Sequence, residues 1–172
     1  MSTEQIPRSR VIVGRMEQSL PVPQFDLALM SYSLSGVPDS QCAEFLRRLF
    51  QCRGPNGRVL FASFRDNCEW DQFTTPIYRE LGRIRIGGVE AHKSSIHAAG
   101  FKVEHVASID TEIFDKTLPE LSKTLGFFFA PAHQAYFENL PRFEKSLESH
   151  ARESRYGGVA LRCVEEIWEI KG

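Results

Sequence analysis

An α/β fold built on parallel strands is predicted by two features of one stretch, residues 25–64. Two apolar runs, Phe25-Asp26-Leu27-Ala28-Leu29-Met30 and Arg58-Val59-Leu60-Phe61-Ala62-Ser63-Phe64, flank an amphipathic helical pattern. A Pro/Gly sequence, Gly54-Pro55-Asn56-Gly57, punctuates the passage from the helix to the second run. Parallel strands need a long crossover between them, usually a helix, and strands buried on both faces read as continuous apolar runs. Strand, helix and strand therefore follow in that order.

Taken in order, residues 1–9 are polar and contain a proline, which predicts a loose start. Val11 to Val13 reads as a short strand, and Leu20-Pro21-Val22-Pro23 as an extended connection, because each proline restricts the residue before it. In the helix from Asp39 to Cys52, Cys42, Phe45, Leu46, Leu49 and Phe50 share one face of a 3.6-residue repeat. Pro38 prevents an earlier start, Asp39 or Ser40 is placed to cap the first amides, and Gly54 to end the helix.

After Phe64 the chain is polar and aromatic together, Arg65-Asp66-Asn67-Cys68-Glu69-Trp70-Asp71-Gln72-Phe73. It leaves the C-terminal end of a parallel strand, where open α/β sheets bind ligands, so Phe64, Arg65 and Trp70 are substrate-site candidates. The same residues also read as a helix packing on Trp70, Phe73 and Ile77. A further helix near residues 88–97 turns Val89 and Ile96 inward. His92 and His97 are five apart on it, off the spacing that suits a metal pair, and are expected at or near the surface.

Lys102 to Phe114 alternates as a strand, with Val103, His105, Ala107 and Ile109 on one side. Thr117-Leu118-Pro119-Glu120 is a capping-box pattern opening a helix with a Leu118, Leu121, Leu125 stripe. Phe127-Phe128-Phe129 follows, then Tyr136 and Phe137, then a helix on Phe143 and Leu147. The aromatic cluster is either a pocket wall, with Phe128 and Tyr136 as substrate contacts, or a pin that fixes a helix end to the sheet.

These segments resemble, in order, the class I S-adenosylmethionine-dependent methyltransferases. Phe25-Asp26-Leu27-Ala28-Leu29, the short helix and Gly-Pro-Asn-Gly-Arg-Val-Leu-Phe (54–61) look like that family's fourth strand, following helix and fifth strand. Ala99-Gly100-Phe101-Lys102-Val103 resembles its turn into the sixth strand, and residues 158–171 its seventh, antiparallel strand. The resemblance implies a truncated Rossmann-like methyltransferase sheet of parallel strands plus a C-terminal antiparallel strand. It also implies a two-helix insertion over 115–155, a layout similar to small-molecule methyltransferases such as histamine N-methyltransferase.

By the same resemblance, Arg10 to Pro21 looks like the family's third strand and following loop, with Glu17 a cofactor-binding candidate and Arg15 where an acid usually approaches the adenine. No glycine-rich first strand precedes it, and about a dozen residues between Val13 and Phe25 are too few for the intervening elements. The expectation is one methyltransferase-like domain over 1–172 lacking the N-terminal cofactor-binding strands. It would be the substrate-side half of an enzyme that uses S-adenosylmethionine only if another chain supplies the missing half. An apolar edge invites pairing, so either Val11 to Val13 moves in beside the exposed central strand 26–34 or, as expected here, a homodimer mate or a cofactor-binding partner docks along it.

In the family, the end of that strand contacts the methyl donor or acceptor. Ser31 and Ser33 are therefore cofactor-binding candidates and Tyr32 a catalytic one, although hydroxyls there suit turn capping equally. His133, with Tyr136, is a candidate acid or base. A non-catalytic chain that uses the fold to bind a partner or ligand is the alternative, and a fragment of a longer reading frame a third. A net charge of −1, with 21 basic and 22 acidic residues scattered along 172, argues against nucleic acid as partner. Cys42, Cys52, Cys68 and Cys163 lack zinc spacing, and no apolar span suits a membrane, so a cytoplasmic protein without metal is expected.

Overall fold

A computed structural model describes residues 24–34, 37–82 and 88–172. Glu17, Arg15 and the strand expected at 11–13 lie outside the described residues. Five strands and six helices follow in order: β1 (Phe25–Ser31), α1 (Asp39–Gln51), β2 (Arg53–Phe64), α2 (Glu69–Glu80), α3 (Val89–Ala98), β3 (Lys102–Asp115), α4 (Leu118–Leu125), α5 (His133–Glu138), α6 (Leu140–Glu148), β4 (Arg152–Glu153) and β5 (Val159–Lys171). A 3-10 segment, Gly126–Ala132, links α4 to α5.

The sheet runs β1-β2-β5-β3, with β4 paired to β5. β1 and β2 are parallel, as the crossover requires, and β5 is antiparallel to both β2 and β3. The expected α/β sheet with a C-terminal antiparallel strand is therefore present. β5 enters between β2 and β3, so its side chains face residues from both halves of the chain.

α1 buries Cys42, Phe45, Leu46 and Leu49 against Met30, Val59, Phe61 and Ile170, the face its periodicity marked. Its ends differ from expectation. Pro38 holds the N-cap position with no side-chain bond, and Asp39 accepts a 2.7 Å bond from the Ser95 hydroxyl of α3 instead. At the other end Cys52 closes the helix, and Gly54 already belongs to β2.

The Pro/Gly sequence read as a turn is part of the strand. The register jumps from Phe25↔Arg53 to Leu27↔Arg58, so residues 54–57 bulge out of β2. Glycine is needed there, because a Cβ on Gly57 would stand 2.8 Å from the Phe25 carbonyl and 2.7 Å from Arg53 Cγ. Gly57→Ala is expected to cost about 1–3 kcal/mol through overpacking, read as a lower urea midpoint at unchanged slope.

α2, the 3-10 segment and α4 to α6 build a second core from Trp70, Phe73, Leu125, Phe129, Tyr136, Phe143 and Leu161. The Thr117 cap forms as its sequence pattern predicts: the hydroxyl accepts from the Glu120 amide and donates to its carboxylate at 2.9 Å. Between β3 and β5 the chain forms three helices and the 3-10 segment, not the two helices read from the sequence, because Ala130-Pro131 and Asn139-Leu140-Pro141 break the run. In β3 a bulge between His105 and Ala107 reverses the alternation, so His105 shares a face with Ser108, with Nε2 and Oγ 2.9 Å apart, and not with Ala107 and Ile109.

Helices α1 and α3 cover one sheet face, and the α2–α6 core covers part of the other. On that second face Leu27 and Leu29 remain 58% exposed, and Ile109 is exposed as well. Among the described residues β1 is paired along one side only.

The same face carries a charged border. Glu169 is gripped by Arg58 at 2.7 and 3.1 Å and by Lys171 at 2.8 Å. Hydrogen bonds from Arg58 and Lys171 hold the Glu169 carboxyl down to about 2, against 4.5 for an ordinary glutamate. A lowered folded pKa gives stability that is present above about 4.5 and lost as pH falls toward 2. Wild type and Glu169→Gln should thus differ in urea midpoint at pH 7 and converge as the pH approaches 2.

Candidate functional site

The C-terminal ends of β1 and β2 open into a cavity of about 310 Å³. Tyr32 and Ser63-Phe64 come from the strand ends, Trp70, Thr74 and Tyr78 from α2, Gly88 and His92 from the start of α3, and Phe127 and Phe128 from the 3-10 segment. Each element places its residues for a local reason. α2 puts Trp70, Thr74 and Tyr78 on one stripe at i, i+4 and i+8. Thr74 is fixed by donating 2.8 Å to the Trp70 carbonyl, and the Tyr78 hydroxyl donates 2.8 Å to the Phe128 carbonyl, tying the 3-10 segment to α2.

The rings turn corners around the space. Tyr32 meets Phe64 at 4.7 Å and 42°, Phe64 meets Trp70 at 5.2 Å and 45°, and Trp70 meets Phe128 at 4.6 Å and 66°. Phe127, 76% exposed, stands at 83° to Phe128.

Tyr32 adopts a left-handed backbone, φ 54°, while its amide still donates to the Ala62 carbonyl at 3.1 Å. That conformation costs a tyrosine on the order of 1–3 kcal/mol, and such residues gather at functional sites. It turns the phenol off the line of β1 onto Phe64. Burial first, then hydrogen bonding and charge from the Glu165 side chain, push the phenol well above its ordinary pKa. Tyr32 thus stays protonated and serves as a donor or a ring face, not as a base.

Four of the residues singled out in the sequence, Tyr32, Phe64, Trp70 and Phe128, line this cavity. For Trp70 the two readings coincide, since it is buried on α2 and forms a wall. The others stand elsewhere. Tyr136 is fully buried, stacked on Phe129 at 4.6 Å and Phe143 at 5.2 Å, with its hydroxyl donating to the Ser122 carbonyl; it does not line the cavity. His133 is exposed beside Phe137 at 4.6 Å, and Arg65 is held by Glu166 at 2.6 Å and Ser108 at 3.1 Å. Ser31 and Ser33 are exposed at the end of β1, outside the lining.

Glu165 and His92 went unrecognised in the sequence, yet both left a signal. Leu161, Cys163, Glu165 and Ile167 lie on one strand face, where a carboxylate among apolar residues is an anomaly. His92 shares the inward stripe of Val89 and Ile96, is buried, and meets Phe61 edge-on at 6.1 Å rather than standing at the surface.

Solved structures share this architecture. The YcgJ protein of Bacillus subtilis aligns over 92% of this chain and 69% of its own, with a TM-score of 0.54 at 16% identity. A candidate methyltransferase of Bacillus halodurans aligns over 92% and 75%, with a TM-score of 0.55 at 12% identity. The fold is methyltransferase-like. No protein-family model and no curated protein sequence matches the chain.

A methyltransferase-like fold raises the question of the methyl donor. Among the described residues the cavity is aromatic and apolar, and no glycine-rich loop or strand-end acid stands beside β1 to take the ribose and methionine parts of S-adenosylmethionine. These residues do not by themselves fit the donor. No group of three His, Cys, Asp or Glu among them could hold a metal ion, and no helix is long and apolar enough to cross a membrane.

Proposed function

We propose that this chain is the acceptor-side portion of a small-molecule methyltransferase, completed by a donor-binding portion that docks along β1. That portion is either a second copy or a separate chain. The observation that carries the reading is the position of the aromatic cavity: it opens at the C-terminal ends of β1 and β2, directly beside the strand whose outer edge is unpaired among the described residues. Open α/β sheets bind ligands at such strand ends, and an exposed apolar edge is a pairing surface.

S-adenosylmethionine, when bound, would supply an electrophilic methyl group. The residues here would contribute the other half of the encounter. Trp70, Phe64 and Phe128 strip water from the acceptor, and the fixed backbone of Tyr32 sets the wall against which it is oriented. Positioning of this kind supplies a large share of catalytic rate. In this reading Tyr32 contacts the acceptor through its ring and hydroxyl, and the exposed Ser31 and Ser33 face the donor portion.

The test is calorimetric titration with S-adenosylhomocysteine after the solution mass has been measured. Saturable binding by a dimer means that a second copy completes the site. A monomer that binds nothing alone but binds S-adenosylhomocysteine once a donor-binding chain is added means a heteromeric enzyme. A well-folded chain that binds it in no assembled state overturns the proposal.

One observation favours a second reading. The described residues form an aromatic cavity but do not by themselves fit the methyl donor. A non-catalytic binding or regulatory subunit is therefore the function that remains if methyl transfer fails.

A further inference from the structure

The cavity walls differ from its surroundings in charge as well as shape. Among the described lining residues there is no lysine or arginine, and aromatic rings supply most of the surface. Five of those rings meet their neighbours at 42°, 45°, 66° and 83°, so successive faces wrap the space instead of forming one flat slab. Glu165 lies on β5 opposite Phe64, so the sheet itself fixes it beside one wall of the cavity. Its carboxylate accepts from the Thr111 hydroxyl at 3.5 Å, and its hydrogen bonding and charge act on the Tyr32 phenol.

Aromatic faces carry a negative quadrupole, and a cation over them gains most where water is excluded. A carboxylate beside an aromatic wall adds attraction for a cation, and that attraction is stronger away from bulk water than in it. A neutral hydrophobe would gain from burial alone.

We infer that the cavity selects a small organic ammonium, with Trp70, Phe64, Tyr32 and Phe128 as its aromatic walls and Glu165 as the positioning residue that acts through Tyr32. The inference rests on the reading that this cavity holds the acceptor, and names its chemical class: an amine that binds as its ammonium and must release a proton to solvent before its lone pair can take a methyl group. A volume of about 310 Å³ admits an ammonium with a short carbon framework. The same chemistry could come from a free amine or from a methylated lysine side chain. A space this small favours the free amine.

The test needs no methyl donor, so its failure is separable from failure of the methyltransferase reading. The full chain is titrated, following tryptophan fluorescence, with choline and with its neutral carbon isostere 3,3-dimethylbutan-1-ol. Choline is expected to bind about 10- to 30-fold more tightly. Glu165→Gln is expected to shrink that ratio about fivefold while leaving affinity for the neutral alcohol unchanged, and Tyr32→Phe to do the same by breaking the link.

Equal affinities for the two ligands overturn the inference. So does a Glu165→Gln variant, folded by circular dichroism, that weakens both ligands alike, since that marks a structural role only. A short peptide carrying trimethyllysine supplies the last arm. Weaker binding of the peptide than of choline supports a free amine, and tighter binding overturns the small-molecule assignment.

Discussion

The paired substitution Leu27→Glu and Leu29→Glu is expected to abolish assembly while leaving the fold intact. Both side chains stand 58% exposed on the same face of β1, two residues apart, beside the edge that is unpaired among the described residues. Substitution at exposed positions changes intrinsic stability by only about 0.5 kcal/mol. If a donor-binding portion covers them, each leucine contributes about 1.5–3 kcal/mol to the interface, and a charge at an edge strand also opposes pairing. The dissociation constant should therefore rise at least about a hundredfold. Sedimentation equilibrium on both proteins reads this directly. S-adenosylhomocysteine binding should be lost together with assembly, and an unchanged mass would remove β1 as the docking edge.

The second large effect is at Trp70, which closes the cavity and also packs the second core. Trp70→Ala should cost about 3–5 kcal/mol, because it leaves Phe64, at 5.2 Å, and Phe128, at 4.6 Å, facing an emptied volume. For a chain of 172 residues that lowers Tm by on the order of 10 °C. Trp70→Phe keeps most of the packing and separates the two roles. It is expected to retain a near-native melting temperature yet bind choline several-fold more weakly, since phenylalanine presents a smaller π-face. Thermal melts with ligand titration check both outcomes. If Trp70→Phe binds as tightly as wild type, the indole is a packing residue only.

Local periodicity was the most legible level of this protein. The buried face of α1, the Thr117 cap of α4 and the crossover from β1 to β2 could all be read because each depends on residues close in sequence, whereas the antiparallel course of the closing strand came only with the family resemblance. The element ends were less legible. Residues 54–57 have turn composition, yet pairing with β1 absorbs them into a strand as a bulge, and Ser95 rather than a helix amide engages Asp39.

The candidate site divides along the same line. Phe64 and Trp70 could be marked in advance because a parallel strand end and the residues after it form a rim in any open α/β sheet. Phe128 and Tyr136 belonged to one aromatic cluster in the sequence, yet Phe128, on the 3-10 segment, lines the cavity, while Tyr136, on α5, stacks inside the core. Composition cannot separate them, because both are aromatic and both are needed to fill space.

What the sequence by itself determined was the order and type of the main elements, since hydrophobic period and crossover length are properties of contiguous residues. Only the tertiary structure decided which of them share a site. β5 lies between β2 and β3, and that placement brings Glu165 to Tyr32, residues far apart in the chain, on the covered part of one sheet face. The strand alternation fixes which face a side chain takes, but the neighbour it meets there is set by strand order, which no local pattern encodes.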